Sequence, residues 1–374
     1  MKRVTGSHLE EANTRPPRAK KGRAARSNAS GRYEPLSRRA FDDGWEIACE
    51  DGRVDTEVTQ ETPRKIINYV DSPFVDFDRS INPYRGCEHG CIYCFARPTH
   101  AYYGLSPGLD FETKLFAKPN AAELLDRELR ARNYKPAPIA IGTNTDPYQP
   151  IERQRRIMRS VLQTLRKFKH PVSVLTKSSL IERDLDILAD MATDGLVKAM
   201  LSVTTLDTGL ARSMEPRASA PRKRLDAVRA LAAAGVPTGV MAAPMIPGLN
   251  DHELESILEA SRDAGAAFVG YTIIRLPLEV SGLFQDWLND AAGARGPRVT
   301  RAIREMNGGK DYDPEWSRSK KPRSERAKLI DMRFKAACRR LGLATKTPEL
   351  NLGAFRRPVE KGGQLSLFGE SGRP

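Results

Sequence analysis

From about residue 66 onward, short apolar runs alternate with longer stretches in which apolar residues recur every three or four positions. Ile139-Ala140-Ile141-Gly142-Thr143 reads as a buried strand, and Gln154 to Phe168 as the amphipathic helix that follows it. Val172-Ser173-Val174-Leu175-Thr176 is the next strand; a helix over Ile181 to Thr193 follows, with Ser179 placed to cap it. Lys198 to Val203 repeats the pattern, and its helix, Pro221 to Ala234, is stopped by Gly235. Val236 to Ala242, a helix over Asp251 to Ala264, and Phe268 to Ile274 complete the series. With a first strand placed just before Cys87, there are six βα repeats. Parallel neighbours need a long connection, so this alternation predicts an α/β fold with a parallel sheet and right-handed crossovers. Six units suit a (β/α)6 partial barrel, in which ligands gather at the carboxyl ends of the strands.

The flanks have a different texture. Residues 1 to 39 hold eleven Lys or Arg against three Asp or Glu, with almost no apolar periodicity. Such a segment cannot bury enough surface to offset its ordering entropy. Residues 1–65 are therefore read as a basic, largely disordered arm, 66–294 as the barrel, 295–361 as a basic, mainly helical extension and 362–374 as a flexible tail. The extension carries nineteen Lys or Arg and eight Asp or Glu, a formal +11. Within it, Ala327, Ile330, Phe334, Ala337, Cys338 and Leu341 line one face of a predicted helix from Ser324 to Leu341, with basic residues between them.

A net charge of +14 and a pI near 9.6 favour an acidic partner, nucleic acid foremost. Membrane surface would satisfy charge alone, but no apolar run approaches the length of a spanning helix and the N-terminus has no signal-peptide core. The expected location is the cytoplasm. Five cysteines, three of them clustered, do not make an extracellular disulfide framework, and a reducing compartment protects thiolate ligands.

The cluster is Cys87, Cys91 and Cys94 in Gly86-Cys87-Glu88-His89-Gly90-Cys91-Ile92-Tyr93-Cys94. Three soft thiolates on one loop, just after the first strand, can converge on an iron–sulfur cluster or on zinc. A structural zinc site would need His89 or His100 as its fourth ligand, because Cys49 and Cys338 are isolated. A four-iron cluster would leave one iron open to another ligand.

Cys-x3-Cys-x2-Cys with an aromatic residue, here Tyr93, immediately before the last cysteine resembles the signature of radical S-adenosylmethionine (SAM) enzymes, whose fold is a (β/α)6 partial TIM barrel. The resemblance covers roughly residues 66 to 290. It implies a [4Fe–4S] cluster held by Cys87, Cys91 and Cys94, with SAM chelating the fourth iron. An electron from the cluster, delivered by a donor such as flavodoxin or ferredoxin, then cleaves SAM to a 5′-deoxyadenosyl radical that takes hydrogen from substrate.

Within that superfamily the chain is similar to the spore photoproduct lyase branch. The likeness puts Thr145 and Asp146 by the amino group of SAM, Lys177 at its carboxylate, and Ser202, with Thr204 and Thr205, near the ribose or carboxylate. The small residues and prolines of Met241 to Asp251 suit close approach of an adenine, and Arg275 is a substrate-side cation. One departure matters: spore photoproduct lyase carries a hydrogen-donating cysteine shortly before that Asp, where this chain has Thr143. A hydroxyl O–H bond is too strong for that task, so spore photoproduct repair is not expected. The broader photolyase-like group, whose substrates are largely unassigned, is the nearer resemblance.

Near the end of the chain, Gln364-Leu365-Ser366-Leu367-Phe368 follows a Gly-Gly linker and resembles the peptide by which bacterial replication and repair proteins dock on the DNA sliding clamp. Leu367 and Phe368, with Leu365, would fill an apolar pocket while Gln364 makes hydrogen bonds. The expected function is radical SAM chemistry on DNA, in repair or in base or sugar modification. Modification of RNA or protein, and a non-catalytic nucleic-acid-binding protein with a structural metal, are the alternatives.

Overall fold

A computed structural model describes residues 20–34, 54–71, 75–291, 293–314 and 324–358. Its main sheet has seven strands. Six are parallel and lie side by side in chain order: β3 (Arg79–Ile81), β6 (Ile139–Ile141), β7 (Val172–Thr176), β8 (Val197–Ser202), β9 (Thr238–Met245) and β10 (Phe268–Ile273). β2 (Ile67–Tyr69) pairs antiparallel with β3 and forms the far edge. This is the partial barrel that the strand–helix alternation predicts, with one added edge strand. The inner strands are apolar almost throughout because helices cover one side and the barrel interior fills the other.

A second, three-stranded sheet joins β1 (Glu57–Gln60), β5 (Lys114–Ala117) and β4 (Tyr84–Arg85). It corrects the position of the first barrel strand: the run just before Cys87 is β4 and pairs with β5, while the barrel begins at Arg79. The short helix α1 (Leu109–Thr113) precedes β5, and α2 (Ala121–Arg130) packs on the later barrel helices; neither was foreseen.

The predicted helix over 154–168 is two pieces, α3 (Glu152–Arg155) and α4 (Ile157–Lys167), broken at Arg156, whose φ is 54°. After β7 a 3-10 turn at Ser179–Asp184 leads into α5 (Leu185–Thr193), and the cap is Ser178, whose side chain accepts from Leu180 N–H, not Ser179. The remaining barrel helices are α6 (Thr208–Met214), α7 (Pro221–Ala233), which ends just before Gly235 as predicted, and α8 (Leu254–Asp263). Beyond the barrel, α9 (Glu279–Ala291) and α10 (Gly296–Met306) pack on each other.

α11 (Glu325–Leu341) is capped by Ser324 and lays Ala327, Ile330, Phe334, Ala337 and Cys338 against α8 and β10; the Phe334 and Tyr271 ring centroids are 4.6 Å apart. After it, Ala344 forms a parallel bridge with Phe268, exchanging hydrogen bonds with Ala267 O and Val269 N at the open edge of β10. The cations of α11 are mostly neutralised. Arg326, Lys328, Arg333, Lys335 and Arg340 lie within 3.6 Å of Glu305, Glu325, Glu255, Asp331 and Glu259 respectively.

The arm was expected to be disordered through residue 65. Where it is described, it packs against the cysteine loop. Ala24 and Ala25 are buried and donate their backbone N–H groups to Glu112, at 3.2 and 2.8 Å. Arg23 donates to Glu112 O, Val54 O and Thr56 Oγ1, each at 2.8 Å. These long-range polar contacts anchor the described stretch, and such contacts leave no local apolar period. No helix among the described residues is long and apolar enough to cross a membrane.

Candidate active site

The cysteine loop leaves the small sheet at Arg85 and reaches the carboxyl ends of the barrel strands. Gly90, at φ 68°, lets it turn where any Cβ would stand 2.7 Å from Glu112 Oε2. Arg97, fully buried, holds the loop from behind: it donates to Cys91 O, Gly90 O, Pro107 O and Gly108 O, and pairs with Glu112 at 2.6 Å. Gln149 ties the same loop to the β6 end, donating to Gly86 O at 3.2 Å and accepting from Glu88 N–H at 2.8 Å. The loop is thus fixed before any ligand binds.

Cys87 and Cys91 are buried, Cys94 is half-buried, and none is in a disulfide. Burial pushes all three thiols up, Cys87 and Cys91 well above the ordinary thiol range. Asp146 adds to the rise at Cys87 and Glu215 at Cys91, whereas Lys177 favours the thiolates of Cys91 and Cys94. A buried set of thiols that ionises only against added positive charge is what a polynuclear iron centre needs. His100 Nε2 bonds Lys114 O at 2.9 Å, and His89 Nδ1 lies 3.3 Å from Asp146 Oδ2. Among the described residues, no three His, Cys, Asp or Glu are arranged to hold a single metal ion.

Lys177, at the end of β7, stands at the centre of the polar groups around the loop. Its Nζ is 3.4 Å from Glu215 Oε1, 3.4 Å from Ala243 O and 3.5 Å from Thr204 Oγ1, and 5.6 Å from the centre of the Tyr93 ring. Burial lowers its pKa to about 8. Ser202 is buried at the end of β8, and its carbonyl accepts from Arg224 at 3.0 Å. Arg224 also pairs with Glu215, which accepts from the Tyr93 hydroxyl and from Thr204 Oγ1. Tyr93, Thr204, Lys177 and, through Arg224, Ser202 are therefore joined through one carboxylate.

Asp146 is hydrogen-bonded at both carboxylate oxygens. Its Oδ1 accepts from Thr176 Oγ1 at 2.6 Å and Tyr148 N–H at 2.9 Å, and its Oδ2 from Lys177 N–H at 2.7 Å. The carboxylate latches the second strand end to the third. Thr145 is buried and turned to Tyr84 O at 3.2 Å. Arg275 is exposed beyond β10. Gln364, Leu365, Leu367 and Phe368 lie outside the described residues.

Sequence reasoning missed Glu215, Arg224, Arg97, Glu112 and Gln149. The available signal was weak: each is a polar residue in a stretch otherwise read as a helix end or a loop. Their partners are distant in sequence, so only the fold reveals them.

Comparison with known proteins agrees with this geometry. A family model for the radical SAM superfamily matches residues 81–260. An uncharacterised protein of Mycobacterium tuberculosis is 38% identical over 244 residues, covering 62% of this chain and 71% of that protein. An uncharacterised protein of Methanocaldococcus jannaschii is 27% identical over 198 residues, covering 53% and 71%. Among solved structures, two single-residue variants of spore photoproduct lyase share the fold, with TM-scores of 0.54 and 0.52 at 15% identity; each alignment covers 76% of this chain, and 79% and 78% of the lyase chains. The superfamily uses a [4Fe–4S] cluster and SAM, and the buried thiol loop, the cation facing it and the parallel strand ends around it fit that pair. The chain belongs to the radical SAM superfamily and is a radical SAM enzyme.

Proposed function

We propose that this is a cytoplasmic radical SAM enzyme that acts on DNA, in repair or in modification of a base or sugar. The observation that carries the reading is the fixed loop of Cys87, Cys91 and Cys94 facing Lys177 at the strand ends. When bound, the reduced cluster and SAM supply a 5′-deoxyadenosyl radical, with an electron carrier such as flavodoxin or ferredoxin as the source of the electron. The protein's part is to bind, orient and exclude water. Lys177 offers its ammonium to a carboxylate, Glu215 holds Lys177 and Tyr93 in place, and Ser202 lies beside them. Asp146 fixes the Lys177 backbone.

The DNA assignment rests on the net charge of +14 and on the Gln364–Phe368 peptide. Clamp binding through Gln364, Leu365, Leu367 and Phe368 would raise the effective concentration of a weak binder on DNA. A target atom inside a duplex would have to be extruded, which damage makes easier.

Anaerobic reconstitution followed by reduction with SAM present tests the enzyme. The intact chain should take up a four-iron cluster and form 5′-deoxyadenosine. Cys91→Ala should lose both, and Lys177→Met should keep the cluster and bind SAM about tenfold or more weakly, as expected for loss of a charge-assisted hydrogen bond. A wild-type chain that holds the cluster but makes no 5′-deoxyadenosine would end the proposal. Mass spectrometry of DNA and RNA from cells with and without the protein then identifies the substrate polymer.

A further inference from the structure

We propose that Tyr33 and Tyr102 form a stacking platform for unpaired nucleotides on the outer side of the cysteine loop. After Cys94 the chain enters a 3-10 helix, Arg97–Tyr103, led by Pro98. With three residues per turn, burial of Arg97, Pro98, His100 and Ala101 leaves the row of Thr99 and Tyr102 facing outward. Tyr102 is 67% exposed, Phe95 60% and Tyr33 58%, an unusual concentration of bare rings next to a buried reactive loop.

The two tyrosines are held in place. Tyr33 arrives on the ordered part of the arm, and its ring centre lies 5.4 Å from that of Tyr102, tilted by 34°. The Arg32 guanidinium lies 4.8 Å from the centre of Tyr33 and 5.2 Å from that of Tyr102. Glu279 fixes Arg32 with contacts at 3.0 and 3.1 Å. The rings are therefore presented with little orientational freedom to lose on binding. Because Arg32 is already paired, this surface selects for flat aromatic faces, and attraction for phosphate comes from the cationic molecule as a whole.

The outward groups of 95–103 are aromatic and polar, and the net charge of +14 favours an acidic polymer as their partner. Every base has a π-face, so rings of this kind beside a positive surface bind single strands with little sequence preference. The proposal rests on the nucleic-acid reading above and sharpens it: the target strand reaches the cysteine loop unpaired.

The test uses the cluster-loaded full chain and fluorescence anisotropy with three probes, a short single-stranded DNA, the same sequence as duplex, and an acidic peptide. Tyr33→Ala with Tyr102→Ala should weaken single-strand binding by about tenfold or more and duplex binding much less. Tyr33→Phe with Tyr102→Phe should bind as the wild type does. SAM cleavage without nucleic acid should be unchanged in both. Unaltered single-strand affinity in the alanine pair would overturn the platform, as would equal losses for single strand and duplex. Wild-type binding to the peptide but not to the strand would assign the surface to a protein. Absence of SAM cleavage in the wild type would instead strike the enzyme reading.

Discussion

Asp146 shows how a residue chosen for chemistry can be set by structure. Burial alone would raise its pKa, but His89, the Thr176 hydroxyl and the Lys177 N–H overcome that and hold it below the ordinary carboxylate value. A carboxyl whose pKa is lower in the folded than in the unfolded state contributes stability above its unfolded pKa, and loses it as pH falls through the folded one. Asp146→Asn should therefore destabilise the apo-protein by about 1–3 kcal/mol near pH 7, with the difference shrinking below about pH 4. Urea unfolding at the two pH values measures this, and an equal penalty in acid would show that the charge is not involved. Glu215 is the residue on which the ligand-facing groups depend, and nothing around Met214-Glu215-Pro216 in the sequence marks it.

At the scale of elements, the strands from Ile139 to Ile273 were legible because a sheet covered on both faces needs continuous apolar runs. The first strand was not, since Arg79-Ser80-Ile81 has two polar residues out of three and shows no apolar run. The break at Arg156 was equally hidden, because arginine gives no sign of a left-handed backbone. The site divides in the same way. Cysteine spacing identified the loop, whereas Arg97, Glu112 and the strap at 20–34 that clamp it meet only through the fold. Glu112 links all three. Removing it in Glu112→Ala leaves the buried Arg97 guanidinium without its counter-charge and two backbone N–H groups without their acceptor, at a cost of about 3–5 kcal/mol. Limited trypsin digestion should then cut after Arg23 and Arg26 well before the body of the protein. Unchanged resistance there would mean that Arg23 holds the strap without Glu112.

For the whole molecule, charge and its location separate. The extension from 295 to 361 has a formal +11, but five cations of α11 face carboxylates, so α11 itself is a weaker polyanion surface than its composition suggests. On the proposed function, attachment to DNA would then depend more on tethering. In a pull-down with the sliding clamp, Leu367→Ala with Phe368→Ala should abolish capture while SAM cleavage is retained; equal capture would remove the clamp as a partner.

The bridge from Ala344 to Phe268 joins the extension to the barrel's last strand. A shortened protein ending before α11 would not simply lose a helix: it would expose Phe334's binding surface and free the outer hydrogen-bonding groups of β10 at Ala267 and Val269. An uncovered parallel edge of this kind invites strand pairing between copies, so such a fragment should self-associate, and the extension serves the barrel as its guard against aggregation.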